Sequence, residues 1–166
     1  MKNTLQEISK LAIRLDEFVF TSEQKKLEWL GQAPASLEEI EVAEDRLGIQ
    51  FPESYKDFLL ITNGFLTPRD STEPTFQKVD EIDHLKSIDT FLLEVWNEGT
   101  LAEVGEQLKK AIVVAGINDE QYFFLIPPSP SYDKWQYWKF ANWIPGEQRY
   151  ETLANYFDSV LDFLKS

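Results

Sequence analysis

Leu5, Ile8, Ala12, Leu15 and Val19 recur at alternating intervals of three and four residues, the spacing of one face of an amphipathic helix. Thr21 followed by Gln24 marks a second helix start, with Leu27 and Leu30 along it before Gly31. Ser36 and Glu39 form a capping box, in which the hydroxyl takes the Glu39 amide and the carboxylate reaches back to Ser36. Leu37, Ile40, Ala43 and Leu47 then line one face, and Gly48 supplies the left-handed stop. Pro52 suits the first turn of the next helix, because no amide donor is needed there. Tyr55, Phe58, Leu59 and Thr62 share a face of that helix before Asn63-Gly64 ends it. The pattern predicts two short helices meeting in a tight corner.

Beyond Gly64 the pattern changes. Residues 66–75, with Pro68, Asp70, Ser71 and Pro74, read as a surface loop, and the mixed alternation of Phe76 to Ile82 as a strand. Ile88, Phe91, Leu92 and Val95 predict a short helix finishing near Gly99, while Leu101 to Lys110 carries a stripe of only Leu101, Val104 and Leu108 and is left open. The apolar, β-branched run from Ala111 to Ala115, the turn chemistry from Gly116 to Glu120 and the second apolar run from Tyr122 to Ile126 predict a β-hairpin. Pro127, Pro128 and Pro130 open a loop through Asp133, and Trp135 to Trp143 reads as a third strand with aromatics on both faces. Leu153, Phe157, Val160 and Leu164 predict a closing helix capped by Asn155 and Asp158. Helices at both ends with strands between them give an α+β fold, a single domain with a central antiparallel sheet flanked by helices. Residues 1–33 read as an N-terminal helical arm; its docking on the domain and a role in association are both open.

Composition narrows the function classes. Twenty-nine acidic and 16 basic side chains give a formal charge of −13, which argues against a phosphate-binding footprint and so against nucleic acid or an anionic membrane. An aromatic content of 14% is too high for a disordered acidic tail, so the charge belongs to a folded surface. The absence of cysteine removes disulfides, thiolate catalysis and Cys-ligated metals. Glu7, Lys10, Arg14 and Asp16 interrupt any apolar leader, and no stretch approaches the ~18 apolar residues of a membrane span, so a cytoplasmic protein is expected.

Candidate chemistry is sparse. Glu38, Glu41, Glu44 and Asp45 are expected to project opposite the apolar stripe of the first corner helix, with Glu53 and Asp57 continuing the acidity along the second. Such a patch either attracts a basic protein or simply solvates two helices. Trp135, Tyr137, Trp138, Phe140 and Trp143 offer either a stacking platform or a buried strand, and burial fits better because only Lys134 and Lys139 interleave them. His84 is the single histidine, flanked by Asp80, Glu81 and Asp83 at spacings that do not suit a metal site, with general acid–base chemistry between them left as a disfavoured alternative. No catalytic, cofactor-binding or metal-ligating residue is assigned.

The run from Leu37 to Gly64 resembles the N-terminal signature of the SUKH superfamily. The matching positions are Ala43, Glu44, Leu47, Gly48, Phe51, Pro52, Tyr55, Phe58, Leu59, Asn63 and Gly64. The hairpin from Gly116 to Ile126 and the closing segment from Tyr156 to Leu164 are similar to the family's later elements. The resemblance implies a SUKH-like domain over residues 34–166. It further implies that Leu47, Gly48, Pro52, Tyr55, Phe58, Asn63 and Gly64 are architectural. Bacterial members of the family are mostly immunity proteins that bind and neutralise polymorphic toxins, often nucleases, and fungal relatives regulate cell-wall assembly. The expectation is therefore a partner-binding protein without enzymatic activity or cofactor, its partner a cognate and basic toxin. An intracellular regulatory or scaffold domain of the same fold, with no toxin partner, is the alternative. Oligomeric state is not readable.

Overall fold

The periodic N-terminal segment forms α1 (Lys2–Leu15), whose Leu5, Ile8, Ala12 and Ile13 are buried. The computed structural model of the chain describes residues 1–15, 20–67, 73–97, 101–117, 119–141 and 144–166. Val19, Gly99, Trp143 and the Pro68, Asp70 and Ser71 of the expected loop lie outside them. α2 (Ser22–Leu27) opens on the expected Thr21/Gln24 capping box but stops short of Gly31, with Glu28 taking the left-handed position at φ +49°. Leu27 is 59% exposed and no residue of α2 is buried, so α2 has no core face and is held by its caps.

α3 (Leu37–Leu47) and α4 (Glu53–Ile61) are the predicted corner. The Ser36/Glu39 box is formed in both directions and Gly48 closes α3 at φ +68°. Pro52 sits one position earlier than expected, as the N-cap of α4. Leu37 is exposed rather than part of the apolar stripe, because only Ile40, Ala43, Glu44 and Leu47 of α3 turn inward.

Five antiparallel strands follow in sequence order: β1 (Asp83–His84), β2 (Ile112–Ala115), β3 (Gln121–Ile126), β4 (Gln136–Ala141) and β5 (Glu147–Tyr150). The strand expected over Phe76 to Ile82 is reduced to isolated bridges from Phe76 to Phe65 and Ala115. A turn closed by Glu81 N–H on Lys78 O then delays sheet pairing to Asp83. The helix expected from Ile88 to Val95 is instead two, α5 (Leu85–Ile88) and α6 (Thr90–Val95). Asp89 divides them, its Oδ1 accepting the Leu92 amide at 2.9 Å as an N-cap. The ambiguous segment becomes α7 (Ala102–Leu108). α8 (Leu153–Lys165) begins a turn earlier than expected, capped by Thr152 rather than Asn155 or Asp158.

Alternation along the strands divides the core in two. Ile112, Val114, Phe123, Leu125 and Tyr137 face a large cluster built with α1, α3, α4 and α8. Val113, Phe124, Ile126, Trp138 and Phe140 face a smaller one completed by Leu85, Leu108 and Ala111. Covering both faces of the sheet explains why β2 and β3 read as continuous apolar runs. α1 belongs to the large cluster and packs along α8, where the Thr4 hydroxyl donates to Asp158 Oδ1 at 3.2 Å. Ser9 Oγ ties the following segment down by accepting the Leu30 amide at 3.2 Å. Residues before 34 therefore contribute to the same core as the rest of the chain.

Candidate functional site

The corner is held by a buried carboxylate. Glu44, 4% exposed, accepts the Phe51 amide at 2.6 Å and the Lys56 ammonium at 2.8 Å, both on Oε1. One side chain on the last turn of α3 thus fixes the entry to α4 and a residue on its first turns. Its neighbour Arg46 spans outward from α3, donating from Nη2 to the Val79 and Ile82 carbonyls at 3.2 and 3.0 Å. His84 joins the same seam, its Nε2 donating to the Leu47 carbonyl at 3.1 Å. That contact gives His84 a structural place and leaves it outside any cluster of metal-ligating groups; the described residues contain no such cluster.

The remaining motif positions are explained by packing and turns. The Asn63 backbone N–H donates to Ala33 O, and its side-chain Oδ1 accepts the Val79 amide at 2.8 Å, so one residue joins three segments. Gly64 has φ +103°, and a Cβ there would meet Phe76 O at 3.2 Å. Leu47 and Phe58 are buried in the large cluster, where Phe58 stacks on Tyr55 and Phe157. Tyr55 is fully buried, its hydroxyl has no hydrogen-bond partner among the described residues, and burial pushes the phenol far above its usual range.

Of the acidic positions, the structure leaves Glu38, Glu41 and Asp45 exposed on α3 and Glu53 and Asp57 exposed on α4. Glu44 does not share their face, since its carboxylate is spent on Phe51 and Lys56. Its inward turn was hidden because the groups that justify it lie outside its own helix. Exposed Leu37 and Val42, at 66% and 60%, are interspersed among the acids, so the outer face of α3 combines charge with apolar surface. Glu39 is occupied by capping; the Ser36 amide, and then its hydroxyl, hold that carboxyl below the usual carboxylate range.

The aromatic run does not form an open platform. Tyr137, Trp138 and Phe140 are buried, Trp138 lies under the Arg149 guanidinium at 4.5 Å, and the Tyr137 hydroxyl meets Ser54 Oγ at 2.6 Å. A buried ionic group not anticipated from sequence lies beside them. Lys139 Nζ is 2.8 Å from Glu73 Oε1, and the Tyr156 hydroxyl donates to Glu73 Oε2 at 2.6 Å. Burial, reinforced by the Glu73 charge, raises the Tyr156 phenol well above its usual range, so it stays a donor. A lysine in the middle of an aromatic strand was the available signal: burying it demands an acid from elsewhere in the chain. The trio locks the segment after residue 72 onto β4 and α8.

With this architecture in place, the family comparison is decisive: the model of the SMI1 / KNR4 family (SUKH-1) matches residues 34–166. The chain belongs to the SUKH-1 family. The match covers the corner, the sheet and α8, and begins after α1 and α2, although α1 shares the large core. No curated protein matches the chain. Among the described residues no helix is long and apolar enough to cross a membrane.

Proposed function

We infer that this SUKH-1 chain is an immunity protein that binds a cognate bacterial polymorphic toxin and neutralises it by stoichiometric contact, without turnover or cofactor. The observation that carries the reading is the family match over residues 34–166. The charge of −13 supports a basic partner, a nuclease toxin among them, because complementary fields raise the encounter rate and disfavour wrong partners. The contact surface includes Glu38, Glu41 and Asp45 on α3, with Leu37 and Val42 supplying apolar area between them, and extends to Glu53 and Asp57 on α4. Such a surface stands in for the polyanion that a nuclease binds, and neutralisation follows from occlusion or from holding the toxin inactive. The chain acts in the cytoplasm, where the toxin would do its damage.

Co-expression with the product of an adjacent toxin gene tests this. A 1:1 complex is expected, its affinity falling as salt rises. The triple variant Glu38→Lys, Glu41→Lys, Asp45→Lys should slow association roughly tenfold or more, as expected where charge steers encounter. If cells expressing the toxin die equally fast with and without this chain, the immunity reading is wrong and the regulatory reading replaces it.

A further inference from the structure

A pocket of about 210 Å³ opens on the second face of the sheet, between α6 and the β3–β4 pair. Its wall includes Trp96, Tyr122 and Phe140, and Asp89 and Glu120 supply two carboxylates. Trp96 meets Phe140 edge-on with ring centroids 4.9 Å apart, and Tyr122 stacks on Phe124 at 5.6 Å, so the aromatic wall is braced from behind. Asp89 is fixed as well: Oδ1 accepts the Leu92 amide and Oδ2 accepts the Tyr122 hydroxyl at 3.2 Å. Both donors are neutral, so they orient the carboxylate without cancelling its charge. Among the described residues neither Asp89 nor Glu120 has an ion-pair partner, and no lysine or arginine lines the pocket. Burial, then the charge and hydrogen bond of Asp89 and lastly the charge of Asp119, push the Tyr122 phenol up to about 12.

An aromatic wall beside unpaired carboxylates is the chemistry that captures a cation on a short apolar stem. Phe91 and Val95, 71% and 47% exposed, flank the pocket-lining Leu92 on the same helix and extend an apolar rim to one side. We propose that this pocket receives an arginine side chain of the protein partner, with the guanidinium over the Trp96 and Tyr122 rings and its N–H groups toward Asp89 and Glu120. Arginine fits better than lysine because its planar head stacks on a ring while its fixed fork of donors meets carboxylates in the plane. The partner assignment rests on the immunity reading; the capture of a guanidinium does not. The site lies on the other face of the sheet from α3, so it supplies a second contact, separate from the acidic landing surface.

The test uses the isotope-labelled whole chain, titrated with N-acetyl-arginine amide and, separately, with the neutral isostere N-acetyl-citrulline amide. Saturable shifts are expected at the Trp96 indole N–H and the Tyr122 and Gly146 amides, at least fivefold weaker for citrulline. Glu120→Gln, an exposed substitution with no ion-pair partner among the described residues, should weaken arginine about threefold. Absent shifts, shifts spread evenly over the acidic surface, or equal responses to arginine and citrulline would overturn the proposal. Toxin bound with full affinity by a chain whose pocket ignores arginine overturns this inference and leaves the immunity reading standing. Arginine captured by a chain that binds no toxin does the reverse.

Discussion

Over the first face of the sheet, Phe58, Phe76, Tyr156 and Phe157 interlock with ring centroids 5.1 to 5.8 Å apart beneath α1, α3, α4 and α8. Over the second, the cover is α5, α6 and α7, of 4, 6 and 7 residues, and large side chains such as Phe91 and Val95 stand in solvent. Helices this short have little stability of their own and depend on what they pack against. The first face therefore defines the fold, and the family motif lies almost wholly on it. On the second face Phe124, Trp138 and Phe140 are buried while Trp96 and Tyr122 stay partly exposed, and the proposed pocket lies between those two. The larger core and the proposed arginine pocket thus lie on opposite sides of one sheet.

Truncation of a ring on each side is the strongest way to break that division. Phe58→Ala should cost about 3–5 kcal/mol, since the side chain is fully buried against the rings of Tyr55, Phe76 and Phe157. Phe91→Ala should stay within about 0.5 kcal/mol, because it empties no cavity. Urea unfolding of both variants checks this, and equal losses would mean that the second face carries as much of the fold as the first. Gly105 sharpens the comparison from the thin side. A Cβ there would lie 2.1 Å from the Trp96 carbonyl oxygen, so Gly105→Ala must push α7 away from the end of α6. A loss of about 1–3 kcal/mol is expected from the forced shift. Perturbed amide signals should be confined to residues near Trp96 and Val104, with the α3–α4 corner unchanged.

What the sequence disclosed follows the range of the interactions involved. Capping boxes such as Ser36 with Glu39 complete themselves within four residues, so the corner was legible position by position. The hairpin was legible because Ile112–Ala115 of β2 and residues 123–126 of β3 are buried on both faces and read as unbroken apolar runs. β5, Glu147 to Tyr150, was not foreseen: it is a polar edge strand, whose order comes from pairing with β4 and from Arg149 over Trp138. Asp89 was read within a helix because only Tyr122, from a distant strand, and the Leu92 amide reveal it as a cap. Helical periodicity likewise placed Glu44 outside, since the Phe51 amide and Lys56 that draw it inward belong to the next element. The outward acids Glu38, Glu41 and Asp45 could be read locally; the pocket beneath α6 could not, because its walls come from three separated segments.

The smallest expected effect tests the rim of the first face, where Glu39 is fully exposed yet held by Ser36. Its folded-state carboxyl lies below the ordinary value near 4.5, chiefly through the Ser36 amide and then its hydroxyl. A depressed folded value means that the ionised form favours folding: the contribution is complete above pH 4.5 and disappears as pH falls through the lowered folded value. Glu39→Gln keeps a side-chain acceptor for the Ser36 amide but cannot ionise, so it isolates the charge from the geometry of the box. Thermal unfolding should show the native chain slightly more stable than the variant at neutral pH, with the two midpoints converging in acid. A gap that stays constant from pH 7 to well below pH 4 would show that the box acts through its hydrogen bonds alone. In that case the acidity of α3 would owe nothing to the start of the helix, and the exposed acids would be left with the partner as their reason to be charged.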